Sequence, residues 1–327
     1  MKRIYLFASL LLCSLGVMFT GCSSDDDLSG TSVFAGDTIK ANGEFDQWLT
    51  KNYLEPYNID FQYRYNDKLT DRVYNVIPAD VDKSKALAIL VKHMWLDAYS
   101  EVFDSIYKNQ DPSSYYEGKG QIFLKRYCPR QMQLIGSNEY STNGQIILGT
   151  AEGGLKIMLY GVNRLEIDNI RINVENPYES HEDEPLDINY WFFHTMHHEF
   201  CHILTQQKNY STDYQSITAG NYHSQDWSNL KDTAVAKEGF VTAYASSEYN
   251  EDFAEVYATY VTMTPQAWQM ILDKAGTEGA ALLEQKLALV RAYFNESWGI
   301  DLDQMRAVLL RRSSEAVRLN LRDLNQN

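Results

Sequence analysis

The chain is 327 residues long, 44 % hydrophobic and 22 % charged, with a net charge of −15. That length suits one large domain or two packed lobes around a substantial core. So acidic a chain repels polyanions, which excludes nucleic acid as a partner.

The N-terminus reads as a leader. Lys2 and Arg3 precede an apolar run from Ile4 to Phe19, the build of a secretory signal peptide over residues 1–21 and too short to span a bilayer comfortably. Phe19-Thr20-Gly21-Cys22 closes it and resembles the lipobox of bacterial lipoproteins, which makes Cys22 the lipidated first residue of the mature chain. Ser23-Ser24 and Asp25–Asp27 follow. A serine-then-acidic run in this place is similar to the signal that sends lipoproteins of some Gram-negative gut bacteria to the outer cell surface; a solvated charge run reads the same way. The expected location is therefore the outer membrane, through a lipid anchor, facing the cell surface. Polar sequence over residues 22–41 reads as a flexible tether, leaving residues 42–327 to fold. Cys13 departs with the leader, so Cys128 and Cys201 remain, too few for a disulfide framework and expected as free thiols.

Glu44–Tyr53 and Lys83–Tyr107 carry apolar residues at helical spacing, with Phe61–Tyr65 as a short strand between them. From Arg130 the period changes. Arg130–Gly136, Gln145–Glu152 and Leu155–Val162 alternate or run apolar, separated by SNEYSTNG and by Gly153-Gly154, a pattern that predicts an antiparallel meander. The acidic loop Glu179–Asp187 suits the positive end of a helix dipole, and Pro185 marks the first turn of a helix expected from about Leu186 to Gln207. After Met263 the chain is again helical over Pro265–Lys274, Glu278–Phe294 and Leu302–Leu319, with turns near Gly276 and Gly299.

The stretch His194–Leu204 reads HTMHHEFCHIL. Helical residues four apart share a side, which gives three candidate ligand pairs: His194/His198, His197/Cys201 and His198/His202. Only the last has a glutamate directly after its first histidine, forming HExxH. At about 100° per residue, His198, Glu199 and His202 fall within about a 100° arc. Two neutral imidazoles can then hold one Zn²⁺ while Glu199 stands beside the open position, where it can take a proton from the attacking water. A buried helix whose histidines are merely hydrogen-bonded has the same spacing. His194 and His197 read as surface or packing residues, His93, His181 and His223 as structural or solvated, and Cys201 as a small core residue.

Two histidines do not complete a zinc site, so a third ligand has to come from another element. The stretch Tyr244–Glu255 (YASSEYNEDFAE) offers Glu251 and Glu255 on one helix face, with Asn250 as a good N-cap. One carboxylate can bind metal while the other receives the N–H of a ligating histidine; a solvated acidic helix entrance gathers carboxylates in the same place. Spacing alone does not separate the two. Glu251 is in the first turn, placed to reach across a cleft. Glu255 is one turn deeper among Phe253, Val256 and Tyr257, where a buried carboxylate needs a donor.

Together, HExxH, Tyr244 and Glu251-x-x-x-Glu255 resemble the glutamate zincins related to anthrax lethal factor and the Pro-Pro endopeptidases, over about Leu186–Val261. The resemblance implies that Glu251 is the third ligand and that Tyr244, seven residues before it, donates to the oxyanion. With GFVTAYA (Gly239–Ala245), EDFAE and the lipobox, most of the mature chain is similar to the substrate import-associated zinc metallohydrolase lipoproteins of Bacteroides-type bacteria, a family whose own substrate is not established.

The expectation is an α+β zincin fold of the gluzincin-like kind. A small antiparallel sheet packs on the HExxH helix in a lobe of about residues 42–207, and a mostly helical lobe covers about 208–327. Leu155–Val162 is expected as the edge strand that pairs with an extended peptide. The expected activity is that of a zinc-dependent metalloendopeptidase acting on a peptide or protein substrate, in association with a nutrient-import system. A hydrolase of another amide or ester is one competitor. The other is a non-catalytic, zinc-containing accessory lipoprotein that binds nutrients for an outer-membrane import complex. Intact Glu199 and Tyr244 argue against the latter, because a pure binder needs neither.

Overall fold

Six successive residues, Ala86 to Val91, are apolar on every side of their helix and at most 1 % exposed. A helix that is hydrophobic all round belongs inside the core. This one, α2 (residues 81–110), lies there, capped by the Asp80 carboxylate, which accepts the Asp82 and Lys83 amides. The computed structural model describes residues 43–66, 76–113, 118–141, 144, 146–152, 155–181 and 183–326. The leader, Cys22, Asp25–Asp27 and the tether lie outside the described residues. Helix α1 (residues 44–57) precedes α2, and α3 (Lys119–Tyr127) follows it. The periodicity did not single out α3. It is short, and its contact with α2 depends on Gly120, where a Cβ would sit 2.3 Å from the Ser100 carbonyl oxygen.

Strands β1 (Asp60–Gln62), β2 (Gln131–Leu134), β5 (Gly149–Glu152) and β6 (Lys156–Leu159) form one sheet in the order β1-β2-β6-β5. β3 (Glu139–Tyr140) and β4 (Ile146–Ile147) form a separate antiparallel pair. The expected antiparallel meander is therefore corrected to a mixed sheet. β1/β2 and β2/β6 are parallel, and only β5/β6 is antiparallel. The reason lies in the connections, since a parallel pair requires a long crossover: α2 and α3 supply it between β1 and β2, and the segment carrying β3, β4 and β5 supplies it between β2 and β6. A second correction concerns the edge. β6, within Leu155–Val162, sits between β2 and β5, and its four residues are all buried, as in a strand covered on both faces. The terminal strands of the sheet are β1 and β5.

Helix α4 (residues 189–207) carries HExxH and starts at Asn189, just inside the expected boundary. Phe200 packs edge-on against Trp95 and Tyr99, with ring centroids 5.2 and 5.0 Å away. Burying that face on α2 turns His198 and His202 the other way. Gly149 lets β5 come close to the start of α4, since a Cβ there would lie 2.6 Å from Thr195 Cγ2.

After the short helices α5 (Asp213–Ile217) and α6 (Asp232–Val235), α7 (Tyr249–Thr262) packs against α4, α8 (Pro265–Tyr293) and α9 (Leu302–Ala316). Asn250 does not cap α7. The Glu248 carboxylate accepts the Glu251 amide instead, while the Asn250 side chain accepts the Tyr210 hydroxyl at 2.9 Å. Behind this first turn, Asp252 and Lys286 form an ion pair at 2.6 Å, both fully buried. Tyr222 donates to the same carboxylate oxygen, and Lys286 also donates to the Gly239 carbonyl. Burial pushes the Asp252 carboxyl up and the Lys286 ammonium down, and their mutual attraction opposes both shifts. Lys286→Met would leave Asp252 charged and unpaired in the core, so it is expected to cost about 3–5 kcal/mol. Urea unfolding measures this: adding Asp252→Asn should recover part of the loss, whereas a single variant within about 0.5 kcal/mol of the parent, the usual surface value, contradicts it.

Candidate metal centre

His198 and His202 stand one turn apart on the face of α4 turned away from Phe200, with their Nε2 atoms 3.0 Å apart. From the first turn of α7, Glu251 brings Oε2 to 2.8 Å from His198 Nε2 and 3.3 Å from His202 Nε2. Two donors at about 2.0–2.1 Å on a tetrahedral zinc lie roughly 3.3–3.4 Å from each other. Two imidazoles and a carboxylate at this spacing fit that ion in both chemistry and size.

Glu255 stands behind the trio, 5 % exposed. Its Oε1 lies 2.8 Å from His198 Nδ1. An ionised carboxylate only accepts, so Nδ1 carries a proton, which leaves Nε2 as the ring atom that would ligate a metal between Glu251 and His202. The same Oε1 receives His194 Nε2 at 2.9 Å, and Oε2 receives the Thr242 hydroxyl at 2.7 Å. His194, expected as a surface or packing residue, is corrected to a member of this part-buried network. Its four-residue spacing from His198 marked the shared face but not the carboxylate waiting there. Thr242 carried no signal in the sequence.

The charges support one another. Burial pushes Glu255 up, but the His194 charge and the His194 and His198 hydrogen bonds hold it well below the usual carboxylate range. Burial likewise pushes Glu251 up, and hydrogen bonds from His198 and His202 outweigh it. For His198 burial favours the neutral ring, yet Glu251 and Glu255 raise it overall. A metal held by His198 would take the place of that proton. A second trio, His194, His198 and Glu255, also has its donor atoms within 4.8 Å of one another. It would need the protonated Nδ1 of His198, and Thr242 closes its far side.

Tyr244 sits on a 3₁₀ turn, Tyr244–Ser246, with its ring 5.8 Å from that of His198 and 4.9 Å from Trp227 by centroid. It is 38 % exposed, so solvent reaches it beside the histidines. Burial first and the Glu251 carboxylate second push its phenol up, which keeps the O–H available as a donor. Glu199 follows His198 on α4 and is half-buried, and its charge reaches both His198 and Tyr244. His197 points elsewhere. It meets the Tyr99 hydroxyl at 2.9 Å, and burial, helped by the His194 charge, pushes its imidazole down to about 3. Cys128 and Cys201 are free and buried, and burial pushes both thiols up, away from the ligating thiolate form.

The profile of a family described as "Putative zinc-binding metallo-peptidase" matches residues 38–303. A crystal structure from Bacteroides caccae, of a protein with the same description, is 38 % identical and superposes with a TM-score of 0.67, covering 89 % of this chain and 98 % of that one. No curated protein matches the chain.

The geometry separates the two glutamates. Glu251→Ala is expected to abolish stoichiometric zinc binding, whereas Glu255→Ala should weaken affinity by about 10–100-fold, the usual effect of removing a partner behind a ligand. Elemental analysis and chelator competition on both variants check this. The reverse order of severity would exchange their roles.

Proposed function

This chain belongs to that zinc-binding metallo-peptidase family, and from this we propose that it is a zinc-dependent endopeptidase whose ligands are His198, His202 and Glu251. The observation that carries the reading is the convergence of those three donor groups, with the ring of Tyr244 near His198 and the Glu199 charge acting on both. That set matches the gluzincin-like pattern seen in the sequence. Zinc held there would acidify a water and polarise a carbonyl. Glu199 takes the proton from the attacking water and delivers it to the leaving nitrogen. The Tyr244 phenol donates to the carbonyl oxygen as it becomes negative. Glu255 holds the His198 ring so that Nε2 keeps its direction throughout. An extended peptide would lie along β5, a terminal strand of the sheet whose Gly149 sits beside Thr195 of α4.

The chain is further proposed to act at the outer membrane through a lipid on Cys22, on the cell surface, alongside a nutrient-import complex that takes up the products. The lipobox and the acidic run after it support this. Among the described residues no helix is long and apolar enough to cross a membrane. Cys22→Ala is expected to move the protein from the membrane to the soluble fraction with its zinc unchanged; equal membrane retention contradicts the anchor.

Incubating the zinc-loaded protein with a diverse peptide library, with and without chelator, tests the activity. Chelator-sensitive cleavage is expected, and its absence would favour the accessory-binder reading. Glu199→Gln should retain zinc and lose cleavage, because an amide cannot accept the proton. Tyr244→Phe should lower kcat by roughly 10²–10³-fold with KM little changed, the typical cost of one oxyanion donor. Parental rates in either variant would remove that residue from the mechanism.

A further inference from the structure

The turn that carries Tyr244 is hydrogen-bonded on several sides. Asp232 Oδ1 accepts the Ala243 amide at 2.7 Å, the His223 amide donates to the Ser246 carbonyl at 2.7 Å, and Ser246 Oγ donates to the Ala243 carbonyl. These bonds tie the turn to its own neighbourhood, around α6 and the segment before it. The Thr242 side chain does something different. Its Oγ1 lies 2.7 Å from Glu255 Oε2 and 3.0 Å from the Ala245 amide nitrogen. A hydroxyl has one proton to give and lone pairs to receive. The carboxylate can only accept and the amide can only donate, so both roles are fixed. The Thr242 proton goes to Glu255, and a lone pair takes the Ala245 N–H. One side chain thus bridges the carboxylate that orients His198 and the turn on which Tyr244 sits.

We propose that Thr242 is a positioning residue, which couples the direction of the His198 ring to the position of the Tyr244 phenol through Glu255. The proposal rests on the reading of Tyr244 as the oxyanion donor. The chain of contacts is continuous: His198 Nδ1–H to Glu255 Oε1, Thr242 Oγ1–H to Glu255 Oε2, Ala245 N–H to Thr242 Oγ1. The Tyr244 ring also contacts the Trp227 indole and the His198 imidazole, with centroids 4.9 and 5.8 Å away. Without the bridge, the turn keeps its bonds to Asp232 and His223 but loses its reference to the metal-facing histidine. A displacement of about 1 Å at such a group is enough to cost on the order of 10²-fold in rate.

Thr242→Val removes the hydroxyl at nearly constant shape, and Thr242→Ser restores it. Two readouts are taken. Amide hydrogen exchange across 243–246, measured with and without zinc, reports the turn independently of turnover. Steady-state kinetics on a peptide cleaved by the parent report the consequence. Thr242→Val is expected to keep one zinc per chain, to speed exchange at Ala245 by about 5–10-fold through loss of one hydrogen bond, and to lower kcat by about 10–100-fold with KM little changed. Thr242→Ser should return both values toward the parent. Because Thr242 acts through Tyr244, the double variant Thr242→Val/Tyr244→Phe should be no slower than Tyr244→Phe by more than about twofold. Parental exchange in Thr242→Val, failure of Thr242→Ser to restore, loss of zinc, or multiplying losses in the double variant would each overturn the proposal. Parental kcat in Tyr244→Phe would instead overturn the reading of Tyr244, and exchange would still decide whether Thr242 holds the turn.

Discussion

One buried carboxylate organises the centre. Glu255 accepts hydrogen bonds from His194 and His198 on α4 and from Thr242 ahead of α7, groups that lie 61, 57 and 13 residues away in the chain. Such a charge inside the protein is tolerated only when its lone pairs are satisfied, and here three donors satisfy it. The same bonds turn the His198 ring, assign its tautomer and place the α4 and α7 faces opposite one another. Glu251, one turn nearer the cleft on α7, meets His198 and His202 at the mouth of that arrangement.

The core explains why the two helices can meet so closely. Trp95 and Tyr99 on α2 take up Phe200 from α4, while Asp252 and Lys286 pin the first turn of α7 to α8. Each of the two helices is therefore held from behind. Their facing sides are left for polar chemistry, with the Tyr244 ring beside His198 and the edge strand β5 close to Thr195 at the start of α4.

Much of this was legible in the sequence, and the parts that were not share a cause. His198, Glu199 and His202 announce themselves because helical periodicity turns sequence spacing directly into a common face. Glu251 and Glu255 do so for the same reason, and Tyr244 through its spacing from Glu251 in the family resemblance. Sheet order was different: β2 and β6 read like hairpin strands, yet they pair in parallel because the chain between them passes through β3, β4 and β5, while β1 reaches β2 through α2 and α3, and no local pattern records either crossover. His194 was visible as a helix-face neighbour of His198, but its partner lies on another helix. Thr242 and the Glu248 cap were invisible, since a threonine or glutamate in a polar stretch carries no mark of what it will touch.

The central claim is that His198, His202 and Glu251 together hold one zinc, with Glu255 behind the ligands. Anomalous diffraction at the zinc edge from crystals of the zinc-loaded protein tests it most directly. The account predicts a single strong peak at about 2.0–2.2 Å from His198 Nε2, His202 Nε2 and a Glu251 carboxylate oxygen, the usual zinc–nitrogen and zinc–oxygen distances, with Glu255 still hydrogen-bonded to His198 Nδ1. A peak on Glu255 or His194, with Glu251 turned away, would contradict it.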